Sequence, residues 1–177
     1  TTPKPLIEVN GKPMLYHAFQ SVKDVQYEKV IFIALKEHEE TYGVSKLIRE
    51  QIVEDFELIL LDDVTEGQLC TILRASKYFK PNISILIAAS DSYIESTIHK
   101  DIQNSNADGI ISVINLPGKQ WSFAKTNESG YVVEVAEKSR ISEYASTGLY
   151  FFRNVKQFQK EAERIIESGE KTKGEYY

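Results

Sequence analysis

Three stretches in the first half of the chain are apolar almost without a break: residues 29–35, 56–61 and 83–89. A half-exposed strand alternates polar and apolar side chains, so a continuous run of this length predicts a strand covered on both faces. The intervening segments carry helical spacing instead. Residues 13–22 open on Pro13, which suits the first turn of a helix. Residues 37–53 set Val44, Leu47, Ile48 and Ile52 on one face, opposite Glu, Lys and Arg. Residues 67–79 turn Leu69, Ile72, Leu73 and Ala75 or Ser76 toward a core, and 94–102 reads as a shorter helix. This strand–helix alternation predicts an α/β fold with a doubly wound, mostly parallel sheet.

The second half changes period. Residues 109–114, 121–126 and 131–135 read as short strands. Asn127-Glu128-Ser129-Gly130 between the last two is a hairpin signal, with glycine available for a positive φ. A further strand over 145–152 and an amphipathic helix over 155–167 follow. No internal repeat or low-complexity linker divides the chain. The pattern predicts one domain over 1–177, an α/β front with an added β-hairpin region.

Composition narrows the class. The chain of 177 residues is 42% hydrophobic and 27% charged, which excludes disordered, collagen-like and coiled-coil classes. Its formal charge of −5 and the lack of a long basic run argue against a nucleic-acid partner, while leaving room for a local anion site. The single cysteine, Cys70, cannot form an internal disulfide. The longest strongly apolar run, 85–89, is too short to span a membrane. A cytoplasmic protein with no membrane partner is the expectation; a homo-oligomer stays open. The first residue is Thr1, the sole methionine is Met14, and the last residues are Gly174-Glu175-Tyr176-Tyr177, with the look of a strand beginning. Further native residues are therefore expected beyond both ends.

In an open α/β sheet, ligands gather at the carboxyl ends of the strands. Ser90-Asp91-Ser92 ends the third apolar run there. A carboxylate at that place can hold Mg²⁺ against phosphates, or can simply cap the next helix. Thr65-Glu66-Gly67-Gln68 joins the second run to a helix; glycine lets a ligand approach the backbone, although taken alone a plain loop with a helix start is the better explanation. Lys4 is fixed between Pro3 and Pro5, a stiff way to aim an ammonium, and Glu137-Lys138 closes a strand. Among the other reactive residues, Cys70 reads as a small buried hydrophobe and His17 as structural. His38 and His99 read as exposed, and Trp121 as packing more than ligand contact.

Taken in order, these segments resemble the sugar-phosphate nucleotidylyltransferases. Pro3-Lys4-Pro5-Leu6 followed by Gly11-Lys12-Pro13-Met14 is similar to the family's segment just after its glycine-rich NTP loop. Thr65-Glu66-Gly67, Ser90-Asp91, Glu137-Lys138 and Thr147-Gly148-Leu149-Tyr150 continue the likeness. Gly174-Glu175-Tyr176-Tyr177 resembles a motif of short bacterial members tied to surface-polysaccharide synthesis. The resemblance implies a Rossmann-like nucleotidyltransferase fold and a Mg²⁺-dependent reaction of an NTP with a small phosphorylated acceptor. It implies that Lys4 binds phosphate, that Gly67 and Gln68 face the nucleotide, and that Asp91 holds the metal. Ser122, Glu137, Lys138, Thr147 and Gly148 would hold the acceptor, with Lys138 at its phosphate. The family's Gly-x-Gly-x-Arg loop and a late second metal-binding Asp have no counterpart in 1–177. Three alternatives stay open. These are a cytidylyltransferase for a non-sugar phosphomonoester such as phosphocholine, a catalytically silent binding homologue, and, third, a GT-A glycosyltransferase. The last usually carries Asp-x-Asp where this chain has Asp91-Ser92-Tyr93.

Overall fold

Alternate residues of one strand face two different cores, and this arrangement explains its unbroken apolar run. The structure, a computed structural model, describes residues 1–172 and 174–176. After a single 3-10 turn over Lys4–Leu6, strands β1 (Glu8–Val9) and β2 (Lys12–Pro13) form a short hairpin leading into helix α1 (Met14–Gln20). Strand β3 (Ile31–Leu35) follows. Its Ile31 and Ile33 pack on one core, with Leu69, Phe79, Val155 and Phe158; its Phe32 and Ala34 pack on a second, with Leu15, Val44 and Ile48. Helices therefore cover both faces, as the sequence predicts.

Helices α2 (Lys36–Tyr42) and α3 (Val44–Gln51) take the place of the one helix predicted over 37–53. Gly43 at φ 61°, ψ 50° is left-handed, a conformation that ends a helix, and α3 restarts at a new angle to bury Val44 and Ile48. Strand β4 (Glu57–Leu61) pairs parallel with β3, Ile31 opposite Glu57 through Leu35 opposite Leu61. An exposed cluster pins this register: Lys29 Nζ and the Tyr78 hydroxyl each lie 2.9 Å from the Glu57 carboxylate. The Lys29 hydrogen bond, with that of Tyr78, holds the Glu57 carboxyl below its usual range.

Next come α4 (Gln68–Leu73), a 3-10 turn over Ser76–Tyr78, β5 (Ile85–Ala88), α5 (Ile98–Asn104) and β6 (Gly109–Asn115). Strands β7 (Ser122–Thr126), β8 (Val132–Glu137) and β9 (Tyr144–Phe152), and helix α6 (Val155–Ser168), complete the described elements. The expectation of a mostly parallel sheet needs correction here. Among the described residues only β3 and β4 pair in parallel, whereas β9 pairs antiparallel with β5, β6 and β7. An apolar run reports that both faces are covered; it says nothing about the direction of the neighbouring strand. The chain is thus a mixed α/β protein. No helix among the described residues is long and apolar enough to cross a membrane.

Candidate functional site

The register of β9 creates a fork in the sheet. Strand β6 pairs with both halves of β9 and so occupies one edge, from Tyr144 to Phe152. The opposite edge is shared: β5 takes Leu149–Phe152 and β7 takes Tyr144 and Ala145. Ser146, Thr147 and Gly148 lie in the gap, where β5 ends and β7 begins. The sheet is irregular at the same level: between Ile111 opposite Tyr150 and Val113 opposite Ser146, the single residue Ser112 of β6 faces Thr147–Leu149 of β9, which bulges there. The Thr147 hydroxyl donates to the Ser112 carbonyl at 3.1 Å.

Beyond β5, the Ala89 N–H donates to the Gly148 carbonyl at 2.9 Å, and two residues later the chain presents Asp91. Lys4 meets it there, Nζ 3.8 Å from Oδ2, although 87 positions separate them in the chain (91 minus 4). The Pro3 carbonyl accepts from the Leu6 N–H at 2.9 Å, so the two prolines hold Lys4 in its 3-10 turn. Helix α1 fixes the other side. The buried Ser21 hydroxyl accepts from the Ile94 N–H at 2.9 Å, and His17, 2.8 Å from the Val9 carbonyl, stands edge-on to Tyr93.

On the β7 side of the fork, Ser122 and Glu137 are cross-strand partners, and the Ser122 hydroxyl donates to the Glu137 carboxylate in a short hydrogen bond. The Glu137 side chain is only 11% exposed, whereas Lys138 keeps half its surface, with Nζ 3.3 Å from Glu137 Oε1. Lys138 has φ 51°, and its N–H donates to the Trp121 carbonyl. Arg140 locks the loop above: its guanidinium donates to the Leu116 and Gly118 carbonyls and stacks over Phe123. Trp121 donates its indole N–H to Pro117 within that loop.

Gly67 makes its close contacts elsewhere. It is buried at φ 127°, ψ 174°, with the main chain of Tyr176 against its α-carbon. Thr65 and Thr71 hydroxyls both donate to its carbonyl, and Gln68 opens α4, half-buried. Among the described residues no group of three or more His, Cys, Asp or Glu gathers to hold a metal. Asp91 offers a single, partly exposed carboxylate. Such a donor set suits a cation that completes its shell with water and phosphate oxygens, as Mg²⁺ does, and does not suit zinc.

Residues 1–175 match the model of the family described as nucleotidyl transferase. The chain belongs to this family. Among solved structures of similar fold is a nucleoside-diphosphate-sugar pyrophosphorylase from Vibrio cholerae, 26% identical with a TM-score of 0.74. That match covers 100% of this chain and 76% of the other. HddC from Yersinia pseudotuberculosis is 22% identical over 92% of this chain and 70% of its own, with a TM-score of 0.68. The inositol-1-phosphate CTP transferase from T. maritima is 13% identical over 90% of this chain and 64% of its own, with a TM-score of 0.72. The last two likenesses concern the fold alone. No curated protein matches the chain.

As a nucleotidyl transferase, the chain brings Lys4 to Asp91, and gathers Ser122, Glu137 and Lys138 beside the gap that holds Thr147 and Gly148. Gly67 and Gln68 sit on a separate turn. Sequence reading missed Ser21 and Arg140 as architects of these groups, and named Tyr176 only as part of the terminal motif. A lone serine at the end of an apolar helix and an arginine two residues past Glu137-Lys138 were the signals on offer.

Proposed function

We propose that this nucleotidyl transferase condenses an NTP with a sugar 1-phosphate, giving a nucleotide-sugar and pyrophosphate in a Mg²⁺-dependent reaction. The observation that carries the reading is the fork, which sets the Lys4–Asp91 pair and the Ser122–Glu137–Lys138 cluster around the Thr147–Gly148 gap. An acceptor phosphate oxygen attacks the α-phosphorus directly; the bond from that phosphorus to its bridging oxygen breaks, and pyrophosphate leaves with the electron pair. Such a displacement needs positioning and charge neutralisation, with no nucleophilic side chain. Lys4 binds the triphosphate and Gly67 and Gln68 face the base. Asp91 would hold Mg²⁺, which supplies charge neutralisation at the phosphates when bound. Glu137, ordered by Ser122, accepts from acceptor hydroxyls, and Lys138 meets its phosphate. Surface-polysaccharide synthesis is the use we favour for the product.

We further propose that residues outside 1–177 complete the site with a glycine-rich phosphate loop on a strand between β3 and β5, and with a second metal carboxylate. In support, β3 pairs only with β4 and β5 only with β9 among the described residues, yet Ile31, Ile33, Ile85 and Ile87 share one core. A second reading is a cytidylyltransferase for a non-sugar phosphomonoester such as phosphocholine, since one scaffold can serve several acceptors and the same direct attack on the α-phosphorus would apply.

A panel of ATP, CTP, GTP, UTP and dTTP, each with Mg²⁺, decides between these readings on the full chain. Binding at about 100 times Kd adds about 2.7 kcal/mol, enough to raise Tm by several degrees. One selective nucleotide, with pyrophosphate released on adding a sugar 1-phosphate, supports the main reading. Release with phosphocholine instead selects the second, and no shift with any nucleotide indicates a silent homologue.

Lys138→Ala is expected to raise the acceptor KM about tenfold and leave the NTP KM within twofold. Alanine is no better suited to φ 51° than lysine, so the change removes the ammonium without relieving the backbone. A rise confined to the NTP KM would reverse the two pockets.

A further inference from the structure

We propose that Lys171, Thr172 and residues 174–176 form a strap that positions the nucleotide-facing turn 65–68, with Tyr176 as its positioning residue; this rests on the roles of Gly67 and Gln68 proposed above. Helix α4 has no side-chain cap. The Tyr176 carbonyl stands in for one, accepting from the Leu69 N–H at 3.3 Å, while the Tyr176 N–H donates to the Glu66 carbonyl at 2.8 Å. Between these two bonds lies Gly67, in a backbone region essentially reserved for glycine. A Cβ there would lie 2.5 Å from the Tyr176 oxygen and 2.7 Å from its nitrogen. The strap's path thus dictates both the residue and the conformation at the centre of the turn.

Two anchors hold the strap down. The Tyr176 ring is buried in the core that Leu69 and Phe158 share. Lys171 Nζ lies 2.8 Å from Glu66 Oε1 and 4.9 Å from the centre of the Tyr176 ring. A segment that only closed the core would need the ring; it would not need main-chain bonds on both sides of Gly67. Because the same turn meets the strap and the nucleotide, a nucleotide that prefers the docked turn must also favour the docked strap.

Amide hydrogen exchange on the full chain reads this coupling at Leu69 and Tyr176, with each of the five nucleotides and Mg²⁺ in turn. The nucleotide that raises Tm is expected to slow both amides about tenfold. Tyr176→Ala should raise the NTP KM about tenfold and the acceptor KM less than twofold, with Tyr176→Phe restoring both. Lys171→Met, which spares the core, should act in the same direction more weakly, and it decides the matter with the exchange data if Tyr176→Ala does not fold. A nucleotide that raises Tm but leaves both amides unchanged overturns the strap's role, as does an equal rise in both KM values. If no nucleotide raises Tm, the nucleotide-facing role of the turn falls first, and the strap proposal falls with it.

Discussion

Asp91→Asn is expected to lower kcat by about a thousandfold or more while Tm stays within about 2 °C of the parent. The substitution keeps the shape of the side chain and removes its charge. Asp91 is 37% exposed and its partner Lys4 is 80% exposed, so the ion pair between them is screened by water and contributes little to folding. Turnover is another matter. Phosphoryl-type transfer relies on neutralising charge that is spread over the phosphates, and Asp91 is the carboxylate at the fork on which our reading places the metal.

The matched control is Ser92→Ala. The Ser92 hydroxyl reaches Asp91 Oδ1 only at 3.4 Å and is exposed, so its loss should change kcat less than about twofold. Pyrophosphate release gives kcat and differential scanning fluorimetry gives Tm. Asp91→Asn retaining more than about a tenth of the parental rate would remove Asp91 from the metal role, because one missing preorganised charge costs far more than tenfold.

Interactions that are local in sequence were legible in it; those that close over distance were not. The apolar run 31–35 revealed a doubly covered strand because its two cores are recorded in consecutive side chains. The helical spacing of 37–53 runs on through Gly43, since an isolated glycine weakens a helical pattern without ending it; the break between α2 and α3 shows only in its left-handed φ. The direction of β9 was invisible, since the same apolar residues serve a parallel or an antiparallel neighbour. The site divides in the same way. Lys4, Asp91 and Glu137-Lys138 announce themselves as charges at chain reversals, and the fold joins Lys4 to Asp91. The groups that position them act across the chain: Ser21 holds a residue 73 positions away, and Lys171 holds one 105 positions away. Nothing in a serine or a lysine names so distant a partner.

Gly148→Ala carries the second large expected effect, because Gly148 separates β9 from the end of β5, two residues before Asp91. With φ at 82°, it holds a conformation that costs an L-residue about 1–2 kcal/mol. A Cβ added there would lie 2.7 Å from the Cβ of Ala89, well inside the ~3.5–4.0 Å of ordinary carbon contact. Neither strand yields freely, since Ala88 pairs with Leu149 and the Ala89 N–H is bonded to the Gly148 carbonyl. The end of β5 must therefore shift, and Asp91 lies two residues beyond the contact. We expect Tm to fall by several degrees and kcat to fall by about 10–100-fold, since a 1 Å misplacement of a reacting group can cost about 100-fold. Ala89→Gly takes away the opposing methyl and leaves the backbone of Gly148 alone. Combined with Gly148→Ala it should recover most of the lost kcat and only part of the lost Tm, because the positive φ remains. Strict additivity of the two changes in a double-mutant cycle would show that Ala89 and Gly148 do not press on one another, and the spacer role would have to be abandoned.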